Sequence, residues 1–222
     1  MRIPCIGGRI IKPELLDTLP PDAARASLAD LVRLNRDFGG HAVLRRMLGA
    51  LVSTEDSFSL LDVGAASGDM GATVRQLCPR ATVASLDYLA SHLAAAAEPR
   101  VAGDAFCLPF RPRSFDYVLC SLFLHHFTNE QVVALLASFG AAARRAVLAI
   151  DLERNPIPYF FLPATAWLYR WDKITLHDGP ISVEAAFRPH ELQALAARAG
   201  LLEPHVQTHR PSFRISLVGR PR

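Results

Sequence analysis

Short apolar runs that end in glycine or a carboxylate residue alternate with helical segments through the middle of the chain. The runs are nearly continuous in apolar residues, which is typical of strands buried on both faces of a parallel sheet. The segments between them carry apolar residues at helical spacing. This alternation predicts an α/β fold with a doubly wound, mostly parallel sheet. The predicted strands cover residues 60–64, 81–86, 101–103, 115–120 and 147–152, and the predicted helices cover residues 71–77, 91–97 and 129–139.

The two ends of the chain follow other patterns. Before the first strand, two amphipathic runs are separated by the break at Gly39 and Gly40. After the alternating region, one more helical run is followed by two short apolar segments on either side of Pro211, which predicts a closing antiparallel strand pair. The helices are predicted at residues 21–38, 43–52 and 189–200, and the strand pair at 204–208 and 213–218.

We expect these elements to form one domain. The 222 residues are 50% hydrophobic, which is enough for a sizeable core, and no linker or internal repeat marks a second unit. The predicted domain covers residues 1–222, with an N-terminal helical cap at 1–55, a core at 56–152, a helical insert at 153–188, and the final helix and strand pair at 189–222.

Charge and cysteine content exclude several classes of function. Lys and Arg number 24 against 21 Asp and Glu, and no basic run is interleaved with aromatic residues, so a nucleic-acid partner is not expected. The four cysteines form no CxxC pair, which argues against a structural zinc site or a disulfide framework. The sequence also lacks an HExxH cluster, and we predict no catalytic metal.

Membrane insertion and secretion are not expected either. Residues 1–17 contain no continuous apolar stretch of the kind found in secretory signals, so the protein is predicted to be cytoplasmic. The most apolar window, residues 158–171, is too short for a span and is interrupted by Pro163 and Arg170. Peripheral contact of this aromatic segment with a lipid surface stays open.

Ligands of open α/β sheets bind beyond the carboxyl ends of the strands, and four predicted strand ends carry a pattern. The first strand leads into a loop that contains Gly64 and Gly68, and Asp87 ends the next strand, 23 residues after Gly64. A glycine turn alone is shared by dehydrogenases, kinases and structural turns, and Asp87 is placed either to bind a ribose or to cap a helix. The two further patterns are Gly-Asp-Ala-Phe-Cys-Leu-Pro-Phe at residues 103–110 and Ser-Phe-Asp-Tyr-Val at 114–118, with Leu-His-His-Phe at 124–127.

Taken together, these motifs resemble the class I S-adenosylmethionine-dependent methyltransferases, in particular their small-molecule, methyltransferase type 11-like branch. The resemblance covers residues 60–152, and the closing strand pair extends it. The fold it implies is α/β, a Rossmann-like doubly wound, mostly parallel seven-stranded sheet with a C-terminal antiparallel pair. An NAD-dependent dehydrogenase is the other enzyme class that fits a glycine turn followed by Asp87, but the spacing of Gly64, Gly68 and Gly71 is not GxGxxG.

The resemblance implies S-adenosyl-L-methionine as cofactor and S-adenosyl-L-homocysteine as product. Asp62 and the loop residues Gly64, Ala65, Ala66 and Gly68 would hold the methionine end. Ala66 replaces the central glycine of the family loop, which leaves open whether cofactor affinity is reduced. By the same resemblance Asp87 would hold the ribose, with Tyr88 beside it. Asp104 would accept a hydrogen bond from the adenine amino group, with Ala105 and Phe106 next to the base. Ser121 would lie at the methyl-transfer face.

Histidines near the fourth strand are candidates for a general base. His125 and His126 follow that strand directly, and a histidine can take a proton from a phenol near neutral pH. The alternative is that the pair caps or packs. His177 and His190 are further candidates for which a structural role is expected.

The insert holds many of the aromatic residues. In the family that this chain resembles, the acceptor pocket is often covered by such an insert and by N-terminal helices. Tyr159, Phe161 and Trp167 of the insert are therefore predicted to bind a small apolar aromatic molecule. The alternative is an aromatic helix packed on the core or on a second copy of a homodimer; a monomer is equally compatible. The segment after the fourth strand also lacks the Asn/Asp-Pro-Pro-aromatic motif of nucleic-acid methylases.

These patterns predict small-molecule methylation, most simply O-methylation of a phenol, hydroxyquinone or polyketide in a biosynthetic pathway. C-methylation of a quinone precursor is one alternative. A non-catalytic scaffold or binding subunit with the same fold is the other, and it is motivated by Ala66.

Overall fold

The computed structural model describes Cys5 and residues 7–222, with only the backbone described for Pro21. Residues 1–4 and 6, at the start of the predicted N-terminal cap, lie outside the described residues. The helices are α1 (Pro21–Asp37), α2 (Gly40–Leu51), α3 (Asp69–Leu77), α4 (Asn129–Ala142), α5 (Pro156–Tyr169), α6 (Lys173–Ala185) and α7 (Pro189–Arg198). The strands are β1 (Ser59–Val63), β2 (Thr82–Asp87), β3 (Arg100–Ala102), β4 (Phe115–Ser121), β5 (Ala143–Leu152), β6 (Leu202–His209) and β7 (Arg214–Arg220).

The strands form one seven-stranded sheet in the order β3-β2-β1-β4-β5-β7-β6. Neighbours from β3 to β5 pair in parallel, whereas β7 runs antiparallel to both β5 and β6. This confirms the predicted fold, including the closing antiparallel pair. Because the strand order reverses between β1 and β4, the carboxyl ends of these two strands flank a crevice.

The sheet is buried on both faces, as the continuous apolar runs require. In β1, Leu61 and Val63 pack with α4 and α7, and Leu60 faces the opposite cluster with α2 and α3. Alternation along the strand therefore sends Asp62 to the α2 and α3 face. By the same alternation Ser121, Leu152 and Arg214, at the ends of β4, β5 and β7, lie on that face too.

One predicted helix is largely absent. Residues 91–97 form only a short 3₁₀ turn at His92–Ala95. The segment is mostly alanine and anchors itself mainly through Leu93 and Ala96, which gives too little apolar burial to hold several helical turns. In contrast, α4 begins where Thr128 and Gln131 form a reciprocal capping box.

Residues before α1 cover the carboxyl edge of the sheet through contacts with α6 and with the loops after β4 and α6. The Arg9 guanidinium donates to the carbonyl oxygens of Ala185, His125 and Phe127, and it stacks 3.9 Å from the centre of the Phe187 ring. A little further on, the backbone nitrogens of Leu15 and Leu16 both donate to Asp178 of α6. We call residues 9–17 the roof segment. Among the described residues, no helix combines the length and apolarity that a membrane span needs.

Candidate functional site

A cavity of about 710 Å³ lies above the carboxyl ends of the strands. Its walls come from the loops after β1, β2, β3 and β4, from α1, α5 and α6, and from the turn between β6 and β7. A smaller cavity of about 60 Å³ adjoins it between α1 and the loop after β1. The larger volume is within the range of small-molecule sites, and its position at the topological switch point is where such sites are expected.

The predicted cofactor residues collect around these two cavities, with one exception. Gly68 lines neither cavity; it precedes α3 with φ +74°, and an added Cβ would come within 2.6 Å of the Ala96 Cβ. Residues that line the large cavity are Gly64, Ala66, Asp87, Tyr88, Asp104, Ala105 and Phe106, and those that line the small one are Asp62, Gly64, Ala65, Ala66 and Ser121.

The loop after β1 has left-handed backbone at every second residue. Gly64, Ala66 and Gly68 have φ of +67°, +45° and +74°. A non-glycine residue in this region costs about 1–2 kcal/mol, so Ala66 is a strained position. Its N–H donates to Asp87 Oδ2 at 2.9 Å, and Leu89 N donates to the other oxygen at 3.0 Å. Asp87 thus ties the loop to the end of β2.

Gly64 has no room for a side chain, because a Cβ there would overlap the ring of Phe123. We expect Gly64→Ala to lower the free energy of unfolding by about 1–3 kcal/mol, through overpacking added to a positive φ. Thermal denaturation would show a fall of about 2–4 °C for each kcal/mol. Gly49→Ala is the control, since Gly49 is exposed in α2 with nothing within 4 Å of an added Cβ. An unchanged Tm for Gly64→Ala would contradict the packing argument.

The small cavity offers two unpartnered hydrogen-bonding atoms to a ligand. Burial, reinforced by the neighbouring Asp69, raises the pKa of Asp62 to about 8 despite the hydrogen bond from Gly71 N. Asn35 Oδ1 and Ser121 Oγ are buried without a hydrogen-bond partner among the described residues. Such atoms normally find a partner, and an ammonium group of a ligand would supply one. Asn35, on α1, is a site residue that the sequence analysis missed, since its position depends on how α1 packs across the sheet edge.

A buried charged group lies beside the large cavity. His125 is 2% exposed, its Nδ1 is 2.6 Å from Asp151 Oδ1, and its Nε2 is 3.5 Å from Glu14 Oε1. Burial alone would lower the pKa of His125, but the two carboxylates outweigh it and raise the pKa to about 10. The same interactions hold the pKa values of Asp151 and Glu14 below their usual range, against the effect of burial. His125 is therefore protonated at neutral pH.

His126 has a different environment. Its ring stacks on that of His125 with centroids 4.4 Å apart, its side chain is 24% exposed, and its Nδ1 is 3.4 Å from Asp17 Oδ2. Both histidines line the large cavity together with Glu14. His177 and His190, the further candidates, are absent from the lining of both described cavities; His177 Nδ1 lies 2.8 Å from Asp178 Oδ1 instead.

One side-chain cluster has the spacing of a metal site. Ligand atoms of Glu14, His125 and His126 all lie within 4.8 Å of one another. His125 Nε2 would have to give up its proton for an ion to bind there, because a metal ligand must be deprotonated. The absence of a catalytic metal stays a prediction.

Of the three predicted acceptor residues, the structure brings only Phe161 to the large cavity. Tyr159 and Trp167 do not line it, and Trp167 is 80% exposed. The reason is helical periodicity: α5 turns Phe161 and Leu162 inward, which sends residues 159 and 167 to other faces. Phe38, which directly follows α1, takes part in the apolar wall and also contacts the Phe161 ring edge-on at 4.8 Å.

Cover by the N-terminal helices is implied by the family resemblance, but the sequence analysis assigned none of the residues of the apolar wall from α1. Its members lie at the helical spacing by which the sequence predicts α1, so the signal was present, but periodicity does not say what an apolar face covers. They are Leu28, Leu31 and Leu34, with Phe38 just beyond the helix.

Comparison with known proteins agrees with this geometry. A family model described as a methyltransferase domain matches residues 60–146. The fold superposes on that of a SAM dependent methyltransferase from Aquifex aeolicus with a TM-score of 0.62 at 12% identity, covering 91% of this chain and 98% of that one. No curated protein matches the sequence.

Two further solved structures share the fold. An O-methyltransferase family protein from Burkholderia thailandensis gives a TM-score of 0.64 at 17% identity, covering 89% of this chain and 59% of that one. Human N-acetylserotonin methyltransferase gives 0.55 at 15% identity, covering 85% of this chain and 57% of that one. The chain spans less than two thirds of the length of both.

Proposed function

The chain carries a class I S-adenosylmethionine-dependent methyltransferase domain, matched over residues 60–146, and from that premise we propose that it methylates a hydroxyl oxygen of a small apolar aromatic molecule. Phenols, hydroxyquinones and aromatic polyketides are the acceptors with this chemistry. One observation carries the proposal: a single cavity joins the residues expected around the cofactor to an apolar wall from α1 and α5. The fold shared with an O-methyltransferase family protein supports an oxygen acceptor.

The residues around the two cavities fit the cofactor. When bound, S-adenosylmethionine supplies an electrophilic methyl group on a sulfonium, and its loss leaves S-adenosylhomocysteine. In our proposal Asp62, Asn35 and Ser121 bind the amino end in the small cavity. Asp87 accepts from the ribose hydroxyls, and Asp104 and Phe106 bind the adenine at the open side of the large cavity.

The apolar wall has two roles in the transfer. It excludes water from the acceptor, and it holds the acceptor oxygen in one orientation toward the cofactor side of the cavity. Positioning of this kind can contribute about 7–11 kcal/mol to lowering the barrier of a two-reactant step. The members that we assign to it are Leu31 of α1, Phe38 just after α1 and Phe161 of α5, which all line the cavity.

The acceptor hydroxyl must also lose its proton, and we assign His126 as the base. His125 is already protonated and is held between Asp151 and Glu14, so it is unsuited to accept another proton. His126 is partly open to the cavity, and its Nδ1 faces Asp17, so we assign Nε2 as the atom that takes the proton. The imidazolium of His125 keeps the ring of His126 in place by stacking.

The first experiment is a screen of acceptors with methyl-labelled S-adenosylmethionine and mass analysis of the products. Phenols, hydroxyquinones and aromatic polyketides are offered in parallel with their methyl ethers, in which the hydroxyl is blocked. We expect methyl ethers as products and no turnover of the blocked compounds. Carbon-methylated products would instead support the quinone alternative. Tight binding of S-adenosylhomocysteine without turnover of any acceptor would support the scaffold alternative.

With an acceptor from that screen, His126→Gln should lower kcat by about a hundredfold, the lower end of the usual contribution of a general base. The affinity for S-adenosylhomocysteine should not change, because His126 is assigned to the acceptor side. His177→Gln is the control and should keep full kcat, since His177 is half exposed and does not line the cavity. Equal kcat for the two variants would remove His126 from the mechanism.

A further inference from the structure

Arg214 is a buried cation without a carboxylate partner. It is the first residue of β7 and only 3% exposed. Its Nη1 is buried with no hydrogen-bond partner among the described residues, and no salt bridge in the described part of the chain includes Arg214. Burial lowers the pKa of Arg214 to about 10, which leaves it charged at neutral pH. A buried charge normally has a partner, so this position requires an explanation.

The nearest carboxylates are committed elsewhere. Asp151 and Asp69 favour the charged form of Arg214 from a distance. Asp151, however, accepts from the His125 backbone and contacts its ring, and Asp69 accepts from Asn35 Nδ2 at 3.1 Å and lies 2.9 Å from His41 Nε2. Their interactions with Arg214 are therefore long-range.

Arg214 borders the large cavity. It lies opposite Leu152 in the pairing of β5 with β7, and both residues line the cavity together with Ser212 and Phe213 of the preceding turn. The turn between α1 and α2 covers it from the other side, since a Cβ on Gly39 would be 3.9 Å from Arg214 Cγ. Arg214 does not line the small cavity, where Asp62 and Asn35 are found.

The other charged groups on the acceptor side of the cavity have partners within the protein. Glu14 accepts from Ser182 Oγ at 2.5 Å and is 3.5 Å from His125 Nε2, and Asp178 accepts from two backbone nitrogens of the roof segment. An anion that enters this part of the cavity would thus find one buried cation whose charge is not already neutralised.

We propose that Arg214 is the counter-ion for a carboxylate carried by the acceptor, so that the enzyme acts on aromatic hydroxy acids or similarly acidic apolar molecules. This inference rests on the proposed function, because it names the class of acceptor for the same cavity. A guanidinium bonded to a carboxylate in two places fixes orientation as well as charge. Arg214 then acts as a specificity-determining residue, and its lack of an internal partner keeps it available to the ligand.

Binding is tested by calorimetry on protein saturated with S-adenosylhomocysteine. The probes are 1-hydroxy-2-naphthoate and its neutral counterpart 1-naphthol, followed by a set of benzoates and anthracene carboxylates with their amides. We expect each carboxylate that fits to bind at least about tenfold more tightly than its neutral counterpart, in line with a charged hydrogen bond. In Arg214→Met this preference should vanish, and in Arg214→Lys part of it should remain. If no carboxylate binds better than its neutral counterpart, the inference is wrong.

Two further measurements separate other roles of Arg214. Without ligand, Arg214→Met should raise Tm by a few degrees, because an apolar side chain replaces an unpaired buried charge. A large fall in Tm would make Arg214 a structural residue and overturn the inference. The cofactor carboxylate is the other possible partner of Arg214. In that case Arg214→Met would bind S-adenosylhomocysteine more weakly but would bind methylthioadenosine, which lacks the amino acid, as well as wild type does. That result would also overturn the inference. Failure of wild-type protein to bind S-adenosylhomocysteine would instead contradict the proposed function.

Discussion

Asp87→Ala is expected to weaken S-adenosylhomocysteine binding by more than about a hundredfold, since two charge-assisted hydrogen bonds to a ribose contribute roughly 1.5–3 kcal/mol each. The variant also removes the hydrogen bonds that Asp87 accepts from the N–H groups of Ala66 and Leu89. The loop after β1 then loses its tie to β2, which adds to the loss. Isothermal titration calorimetry measures the change directly.

Asp116→Ala is the matched control for Asp87→Ala. Asp116 is also a strand aspartate that accepts from a backbone nitrogen, in this case Ser59 N at 2.8 Å, but it lies at the amino end of β4, away from the cavities. The Asp116→Ala variant should be less stable, because it loses the contact with Arg144, but its affinity for S-adenosylhomocysteine should not change. Similar affinities for Asp87→Ala and wild type would place the ribose elsewhere.

The second large effect is on stability, and it concerns the buried pair of His125 and Asp151. His125→Ala should lower the free energy of unfolding by about 3–5 kcal/mol, because it leaves Asp151 buried without its partner. Chemical denaturation with matched m-values would measure it. His205→Ala is the control, since His205 is exposed on β6 and should change stability little. If His125→Ala lowers the free energy of unfolding by less than about 1 kcal/mol, which is the usual contribution of a surface salt bridge, His125 and Asp151 are not a buried charged pair.

The same pair sets a pH dependence. The pKa of His125 is about 10 in the folded protein, against an ordinary value of 6.5, so the folded state keeps a proton that the unfolded state loses. Its contribution to stability is complete below pH 6.5 and is lost as pH rises toward 10. Asp151 and Glu14 have lowered pKa values, so their contribution is present above their unfolded pKa values and is lost on acidification. Wild type should therefore lose stability on both sides of mildly acidic pH, and His125→Ala should lose the alkaline part of this dependence.

The sheet and the strand-end motifs were predictable because their signals are local. A buried strand followed by a glycine turn or a carboxylate is legible within about ten residues, and parallel pairing then brings the strand ends to one edge. Asp62, Asp87 and Ser121 reach their places for this reason alone. The loop conformation was also preserved where the sequence departs from the family pattern. Ala66 stands in place of a glycine, and its backbone still has a positive φ.

The acceptor side was less predictable because it is assembled from distant segments. Glu14 reaches His125 and Asn35 reaches Asp69 across long stretches of sequence, and no local pattern encodes either pairing. The sequence predicted Trp167 as an acceptor contact, but it did not indicate which face of α5 is turned toward the cavity, and Trp167 lies on an exposed face. The sequence around Arg214 is ordinary for a strand and does not mark this residue. Arg214 stands out only in the structure, where it is buried and its Nη1 has no hydrogen-bond partner among the described residues.

The roof segment bears on how the cavity comes into existence. Arg9 bonds to carbonyls of residues 116 to 176 positions further along the chain, so these contacts are among the most non-local in the fold. Contacts of such separation carry a large loop-closure entropy and form only when both partners have been synthesised. The roof segment thus acquires its final place only after the segment that carries Ala185 has been synthesised. Strands β1 to β5 can pair before Ala185 has been made, but the cavity also needs α6, the roof segment and the turn between β6 and β7.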